Sequence, residues 1–272
     1  MANAVNIIDN RESEMIRILR VLSMFSIVVC HIMQPIGALE GDIFNVGVEV
    51  FFLISGFLYG HKVIADSMRF YSLRVKKIYI PFLVFFVSVL PFYYIIGDFT
   101  WFKTLKYLLC LQGIGSIYSG LGHLWFITFI LFCYLITPLL QRFRKYSPVI
   151  IGTMIVVYLF LLGNGLKIGA AKESVYGTLM HYYDSFSLYI FGYFLASLKE
   201  KQEHELEVLV AVFMIAILAA FSWSNMDIAA YNRGFHTVCG IFVFMLSIFI
   251  CRRRPENSLF LTSRGGNSWI IR

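Results

Sequence analysis

The sequence predicts an all-α protein, a polytopic transmembrane helical bundle with about eight spans and a truncated ninth. Two observations lead to this prediction. Hydrophobic residues make up 59% of the 272 residues and charged residues only 14%, whereas a soluble domain carries about 25% charged residues. The apolar runs are also continuous and about 20 residues long, without the alternation of a transmembrane β-barrel. A soluble globular protein and a disordered chain are therefore excluded.

The predicted spans follow one another in order along the chain. The first begins after a polar segment that lacks the cleavage site of a signal peptide, so we expect it to be retained. Residues 100–117 are amphipathic and are expected to lie in the interface or to re-enter the membrane. The eight spans are predicted at residues 15–35, 43–63, 78–96, 122–140, 148–163, 185–198, 206–223 and 235–251.

The last residues, 259–272, begin a further apolar stretch that is too short to span a membrane. A short cytoplasmic tail and a truncated or shifted reading frame both explain this pattern, and we favour truncation. We expect residues 1–272 to form a single membrane-embedded domain that is incomplete at its C-terminus.

The distribution of basic residues predicts the orientation. With the N-terminus inside, 18 of the 23 lysine and arginine residues fall in inside segments, and the outside group includes Arg233. Such an excess marks the cytoplasmic side, so it explains the net charge of +7 without a nucleic-acid partner. The five cysteines lack CxxC spacing, and we expect neither a disulfide framework nor a metal site.

The first span contains two ionisable residues, Arg20 and His31. Such groups cost about 2.5–3.5 kcal/mol each inside a membrane, so each needs a reason. Their separation of 11 residues returns to nearly the same helix face, about 16 Å further along the axis. A basic group at the rim and an imidazole inside suggest an anionic ligand that enters from the cytoplasm and meets a proton-handling group at its far end. Alternatively, Arg20 snorkels to lipid headgroups and His31 bonds to a neighbouring helix.

The second span contains Glu49 and the pair Ser55-Gly56. Glu49 could orient an imidazole or accept its charge. It could equally be an interfacial carboxylate or pair with a lysine. Ser55-Gly56 favours close helix packing over a nucleophilic serine.

Two further segments contain candidates. Arg74 and Lys77 belong to a basic run before the third span, which suits lipid headgroups or a phosphorylated cofactor as well as ordinary positive-inside topology. His123 and Trp125 open the fourth span at the outer interface, where tryptophan is ordinarily an anchor. The remaining histidines show no partner pattern and are expected in loops or at the interface: His61, His181, His204 and His236.

These pieces, in this order, resemble the acyltransferase 3 family of integral membrane proteins. The similar segments are Arg20-x10-His31, residues 48–57, Arg74-x-x-Lys77 before a proline, residues 123–126 with 134–140, and Gly265-Gly266-Asn267-Ser268. Lys77 stands where the family usually has a second arginine. It keeps the charge but not the bidentate geometry.

The resemblance implies an O-acetyltransferase-type enzyme in the bacterial inner membrane. Members of the family move acyl groups, often acetyl, from acyl-CoA to extracytoplasmic carbohydrates. An O-antigen, an exopolysaccharide or a lipid-linked glycan is the implied acceptor, membrane lipids are the surroundings, and neither a metal nor a nucleic acid is implied.

The resemblance also implies roles for the candidate residues. His31 is the implied catalytic base or acyl carrier, with Glu49 orienting it. Arg20, Arg74 and Lys77 are expected to bind acyl-CoA, and Ser55, His123 and Trp125 to contact the acceptor. The alternatives are a transporter or exporter of a glycan or small molecule, and an inactive truncated member of the family.

Overall fold

The computed structural model describes residues 10–33, 39–114, 117–171, 174–196, 202–220 and 227–253, and these residues are almost entirely helical. The helices are α1 Asn10–Met33, α2 Val46–Gly60, α3 Ser67–Ile95, α4 Trp101–Leu108, α5 Trp125–Arg142, α6 Ser147–Ile168, α7 Val175–Leu195, α8 Gln202–Ala220 and α9 Ala229–Arg253. Short 3-10 turns precede α2, α5 and α6. The described residues contain no strand beyond an isolated bridge between Ala171 and Ile228. The predicted all-α class is confirmed.

Each of the eight predicted spans coincides with a helix. Among the described residues six helices are long and apolar enough to cross a membrane, namely α1, α2 together with its preceding 3-10 turn, α3, α5, α6 and α9, and α7 is not among them. The side chains described in α8 form a shorter apolar segment, Val208–Leu218. The predicted amphipathic stretch contains α4, which buries Thr104 and Tyr107 on one side. The apolar stretch predicted in residues 259–272 lies outside the described residues.

Helix α2 is the centre of the bundle and is buried along most of its length. Three glycines let its backbone approach that of α7: a Cβ atom on Gly56 or Gly60 would overlap the backbone of α7, and one on Gly192 would overlap Leu53 of α2. Close helix approach through small residues is a common way to pack helices in membranes. The packing interpretation of Ser55-Gly56 is therefore supported.

Glycines also bring α1 and α9 against α2. A Cβ atom on Gly47 would lie 2.9 Å from Cβ of Ser26 on α1. A Cβ atom on Gly240 of α9 would lie 2.7 Å from Cβ of Glu49. The side chain of Glu49 is thus enclosed where α2 meets α9, and it is fully buried.

Three helices begin six or more residues before the predicted start of their span, and all three matter for the site. Helix α7 begins at Val175 rather than at residue 185, so His181 lies within it. Helix α3 begins at Ser67 rather than at residue 78, because the side chain of Asp66 accepts a hydrogen bond from the backbone N–H of Arg69 at 3.0 Å and caps the helix. Arg74 and Lys77 therefore lie one turn apart on a helix rather than in a loop. Helix α9 begins at Ala229, so Arg233 lies inside a helix and is 7% exposed, rather than in an outer loop.

Candidate active site

The first group of candidate residues is a pair of imidazoles. His31 lies in the last turn of α1 and is exposed, and His123 lies in the 3-10 turn that precedes α5. Their ring centroids are 5.4 Å apart, and the rings are inclined by 53°. Two residues that are distant in sequence thus lie next to each other. Imidazole rings can accept and return protons, so this pair is a candidate for proton transfer. We call this end of the bundle the histidine end.

The turn that carries His123 is held by two hydrogen bonds from the preceding segment. Gln112 Nε2 donates to the carbonyl oxygen of Leu124 at 3.1 Å. The backbone N–H of Gly113 donates to Thr128 Oγ1 at 3.0 Å. These bonds tie the segment after α4 to the first turn of α5, and they fix the backbone on either side of His123.

A second group lies next to the first, because Trp125 follows His123 by two residues. The indole of Trp125 meets the imidazole of His181 on α7 edge to face, with ring centroids 4.2 Å apart. Trp125 also packs near Phe129 and Tyr182, at centroid distances of 5.8 Å each. The indole is thus set in an aromatic group that joins α5 to α7.

An ion pair lies behind this aromatic group. Arg233 Nη1 lies 3.3 Å from Glu49 Oε1, and the two side chains are 9% and 0% exposed. Arg233 also contacts His181 Nδ1, and its Nε donates to Asn232 Oδ1 at 2.9 Å. Among the described residues Glu49 Oε1 pairs with Arg233, and Glu49 Oε2 has no hydrogen-bond partner. The expectation that Glu49 orients His31 stays a prediction.

The contact with Arg233 sets the tautomer of His181. A guanidinium group has only donors, so Nδ1 of His181 must accept the hydrogen bond and carry no hydrogen. The hydrogen of the neutral ring then resides on Nε2. His181 is therefore a hydrogen-bond donor at that atom, beside the indole of Trp125.

A second buried carboxylate adjoins this network. Asp184 lies one turn after His181 on α7, is fully buried, and has no hydrogen-bond partner on either carboxylate oxygen among the described residues. Tyr158 of α6 and Thr237 of α9 lie beside it. Beyond these two residues an apolar cavity of about 560 Å³ lies between α6, α7, α8 and α9, and no predicted site residue lines it.

The other end of the bundle carries a group of cations, which we call the basic cluster: Arg20, Lys62, Arg74 and Lys77. Partial desolvation, followed by the charges of the other three, lowers the pKa of Lys62. Arg74 Cζ lies 5.1 Å from the ring centroid of Tyr59, which forms the floor of the cluster. The structure thus brings together the three residues predicted to bind the donor, and it adds Lys62.

Ser55 belongs to neither group. It is 4% exposed and lies in the closely packed contact between α2 and α7. Six residues separate it from Glu49, which is about 9 Å along a helix. Among the residues that the structure describes, no group of three or more His, Cys, Asp or Glu side chains could hold a metal ion.

Sequence reasoning missed three residues of these groups. The sequence pattern predicts Arg233 and His181 in loops or at the interface, and it indicates no role for Lys62 beyond its place among the 18 basic residues of the inside segments. A signal is present for two of them: Arg233 is a lone arginine beside an apolar run, and Lys62 is a lone lysine at the end of the second predicted span. His181 carries no such signal, since its contacts come from α5 and α9.

Comparison with known proteins gives one match. A family model described as an acyltransferase domain, Acyl_transf_3, matches residues 14–271. Neither the curated proteins nor the solved structures give a significant match.

Proposed function

Because the chain belongs to the Acyl_transf_3 family of acyltransferase domains, we propose that this membrane acyltransferase moves an acyl group, by default acetyl, from acyl-CoA to a carbohydrate hydroxyl. The acceptor is a cell-surface or lipid-linked glycan. One observation carries the proposal. Helix α1 holds Arg20 in the basic cluster and His31 in the imidazole pair, so a single element connects an anion-binding end to a proton-handling end.

The donor binds at the basic cluster in this proposal. The side chains of Arg74, Lys77 and Arg20 hold its phosphates, with Arg20 on the side of the arm that carries the thioester. The excess of lysine and arginine at this end supports a cytoplasmic location in a bacterial inner membrane, where acyl-CoA is available. The distance from Arg20 to His31, about 16 Å along the helix axis, suits a long flexible thioester arm.

The chemical step takes place at the histidine end. His31 removes the proton from the acceptor hydroxyl, and the oxygen attacks the thioester carbonyl carbon. The C–S bond breaks, the thiolate of CoA leaves, and the proton on the imidazolium passes to the sulfur. Alternatively, a nitrogen of the neutral His31 ring attacks the thioester carbonyl carbon, the C–S bond breaks and the CoA thiolate leaves. The acceptor hydroxyl then attacks the acyl-imidazole, the C–N bond breaks to return the imidazole, and the hydroxyl proton passes to the thiolate. His123 faces the same space and is placed to contact the acceptor or to exchange the proton.

Glu49 has a supporting role in this account. It neutralises Arg233, which in turn fixes the imidazole of His181 beneath Trp125. Aromatic rings are common platforms for the apolar faces of sugars, and Trp125 is the large ring nearest to His123 in sequence. In this proposal Trp125 contacts the acceptor, and Glu49 helps to hold Trp125 in place through Arg233 and His181.

The test is transfer by purified protein in lipid nanodiscs. Radiolabelled acetyl-CoA and glycan acceptors extracted from the membrane are supplied together, and free CoA and labelled glycan are measured. The proposal expects both products in equal amounts. A transporter would consume no acetyl-CoA, and thioester loss without labelled glycan would show hydrolysis rather than transfer. The variant to compare with wild type is His31→Ala, which should lose transfer. Its matched control is Ile32→Ala, a change at the neighbouring residue, which is 65% exposed, and this control should keep full activity.

A further inference from the structure

The loop between α2 and α3 places Lys62 beside three other cations. Arg20, Arg74 and Lys77 contribute to lowering its pKa from an ordinary value near 10.5. None of the four has a carboxylate at ion-pair distance in the part of the chain that the structure describes. Collecting like charges without counter-charges costs free energy, and a bound anion would recover it.

The backbone of this loop is held in place. The side chain of Gln141 accepts a hydrogen bond from the N–H of Ile64 at 2.8 Å and donates to its carbonyl oxygen at 3.2 Å. On the other side of Lys62, Arg144 donates a hydrogen bond to the carbonyl oxygen of Gly60. Because both flanks are fixed, the backbone cannot carry Lys62 away from its positively charged neighbours.

Two tyrosine rings, which we call the tyrosine floor, pack beneath the cations of the basic cluster. The ring of Tyr59 lies 5.9 Å from Lys62 Nζ and packs against Tyr134 at a centroid distance of 5.1 Å. The buried Nε atoms of Arg20 and Arg74 have no hydrogen-bond partner in the described residues. The cluster thus combines concentrated positive charge with buried donors that lack an acceptor.

We propose that Lys62 is a fourth phosphate-binding residue, and that the four cations of the basic cluster together bind the phosphates of a nucleotide thioester. The inference rests on the proposed function. A diphosphate carries about two negative charges, and a phosphomonoester adds about 1.5–2 at pH 7. CoA contains one of each, so its phosphates nearly balance the four cations. A lipid headgroup offers the same phosphate chemistry with less charge.

Binding of CoA to the full-length protein in phosphatidylcholine nanodiscs tests the inference. Lys62→Gln removes a charged hydrogen bond and should weaken the affinity for CoA about 10-fold or more. Lys62→Arg keeps the charge and should keep most of the affinity. The matched control is Lys76→Gln, an exposed lysine on α3 that is not among the groups acting on Lys62, and it should bind CoA as the wild type does.

The pH dependence of binding gives a readout that a structural role would not change. Phosphate binding favours the protonated form of Lys62, so the complex takes up a proton when the free amine is neutral. The affinity of the wild type for CoA should therefore fall as pH rises. The fall should begin below pH 10.5, because the pKa of free Lys62 lies below that ordinary value for lysine. The groups around Lys62 are Arg20, Arg74, Lys77 and the tyrosine floor. In Lys62→Arg the loss of CoA affinity should move to higher pH, since arginine stays charged.

The outcomes separate the inference from the proposed function. Equal affinity of the wild type and Lys62→Gln for CoA overturns the role of Lys62 and leaves the donor unchanged. Absence of CoA binding by the wild type contradicts the donor itself. If phosphatidylglycerol in the nanodiscs displaces CoA, and Lys62→Gln weakens only lipid binding, the cluster holds headgroups and the inference is wrong.

Discussion

Arg233 and Glu49, which are 184 positions apart in the chain, form an ion pair at 3.3 Å in the interior of the bundle. The pair joins α2 to α9, and Gly240 makes room for the carboxylate side chain. Arg233 also reaches His181, so the pair is connected to the aromatic group around Trp125.

Breaking this pair should destabilise the protein strongly. Arg233→Met leaves the carboxylate of Glu49 buried and uncompensated, which costs about 3–5 kcal/mol. The double variant Glu49→Gln with Arg233→Met should recover much of that loss, because no unpaired charge remains. The midpoint of thermal unfolding in detergent measures both effects.

The control variant is Arg17→Met. It removes an exposed ion pair with Glu14, at 3.4 Å, and should change stability by less than about 1 kcal/mol. Equal midpoints for Arg233→Met and Arg17→Met would contradict the account of the pair.

The contact between α2 and α7 should tolerate no side chain at Gly56. Gly56→Leu forces the two backbones apart, so we expect a loss of 1–3 kcal/mol, roughly, or no folded protein in the membrane. Gly152→Leu is the matched control, since nothing lies within 4 Å of a Cβ atom at that helical glycine. Folded yield by fluorescence-detected size exclusion compares the two variants. A similar yield for both would show that the close approach is unimportant.

Acid should weaken the segment around α4. Lys103 Nζ donates a hydrogen bond to Asp98 Oδ1 at 2.5 Å and lowers the pKa of that carboxyl below 3.8. A lowered carboxyl pKa contributes stability that is present above 3.8 and is lost as pH falls through the folded-state pKa. The difference in unfolding midpoint between wild type and Asp98→Asn should therefore shrink as pH falls from 5 to 3, roughly. A constant difference over that range would refute the role of the hydrogen bond.

The helices were predictable because the apolar runs are long and continuous. The start of α3 was not, because Arg69 and its basic neighbours are typical of a loop, whereas one capping bond from Asp66 extends the helix by several turns. Span eight was likewise predicted six residues too late, since Arg233 breaks the apolar run. Burial of that arginine depends on a partner in α2, which no local pattern shows.

The sequence was sufficient to predict three residues of the basic cluster and both histidines of the histidine end, but not the contacts between helices that lie between them. Arg20 and His31 fall on one helix by spacing alone, and the family resemblance added Arg74 and His123. The contact of Trp125 with His181 depends on how α5, α7 and α9 pack together. Glycine contacts bring α7 and α9 against α2 and so help to set that packing. The pairing of Glu49 with Arg233 has the same origin, since the two residues are 184 positions apart and no local pattern shows their contact.

The most direct test of the account concerns His31. Cells that lack this gene are complemented with wild type, Ile32→Ala or His31→Ala at matched membrane levels, and their surface glycans are analysed by mass spectrometry. Wild type and Ile32→Ala should give an acyl mass increment, and His31→Ala should lower it by about 100-fold or more. An undiminished increment with well-expressed His31→Ala would contradict the assignment of His31 as the catalytic base or acyl carrier.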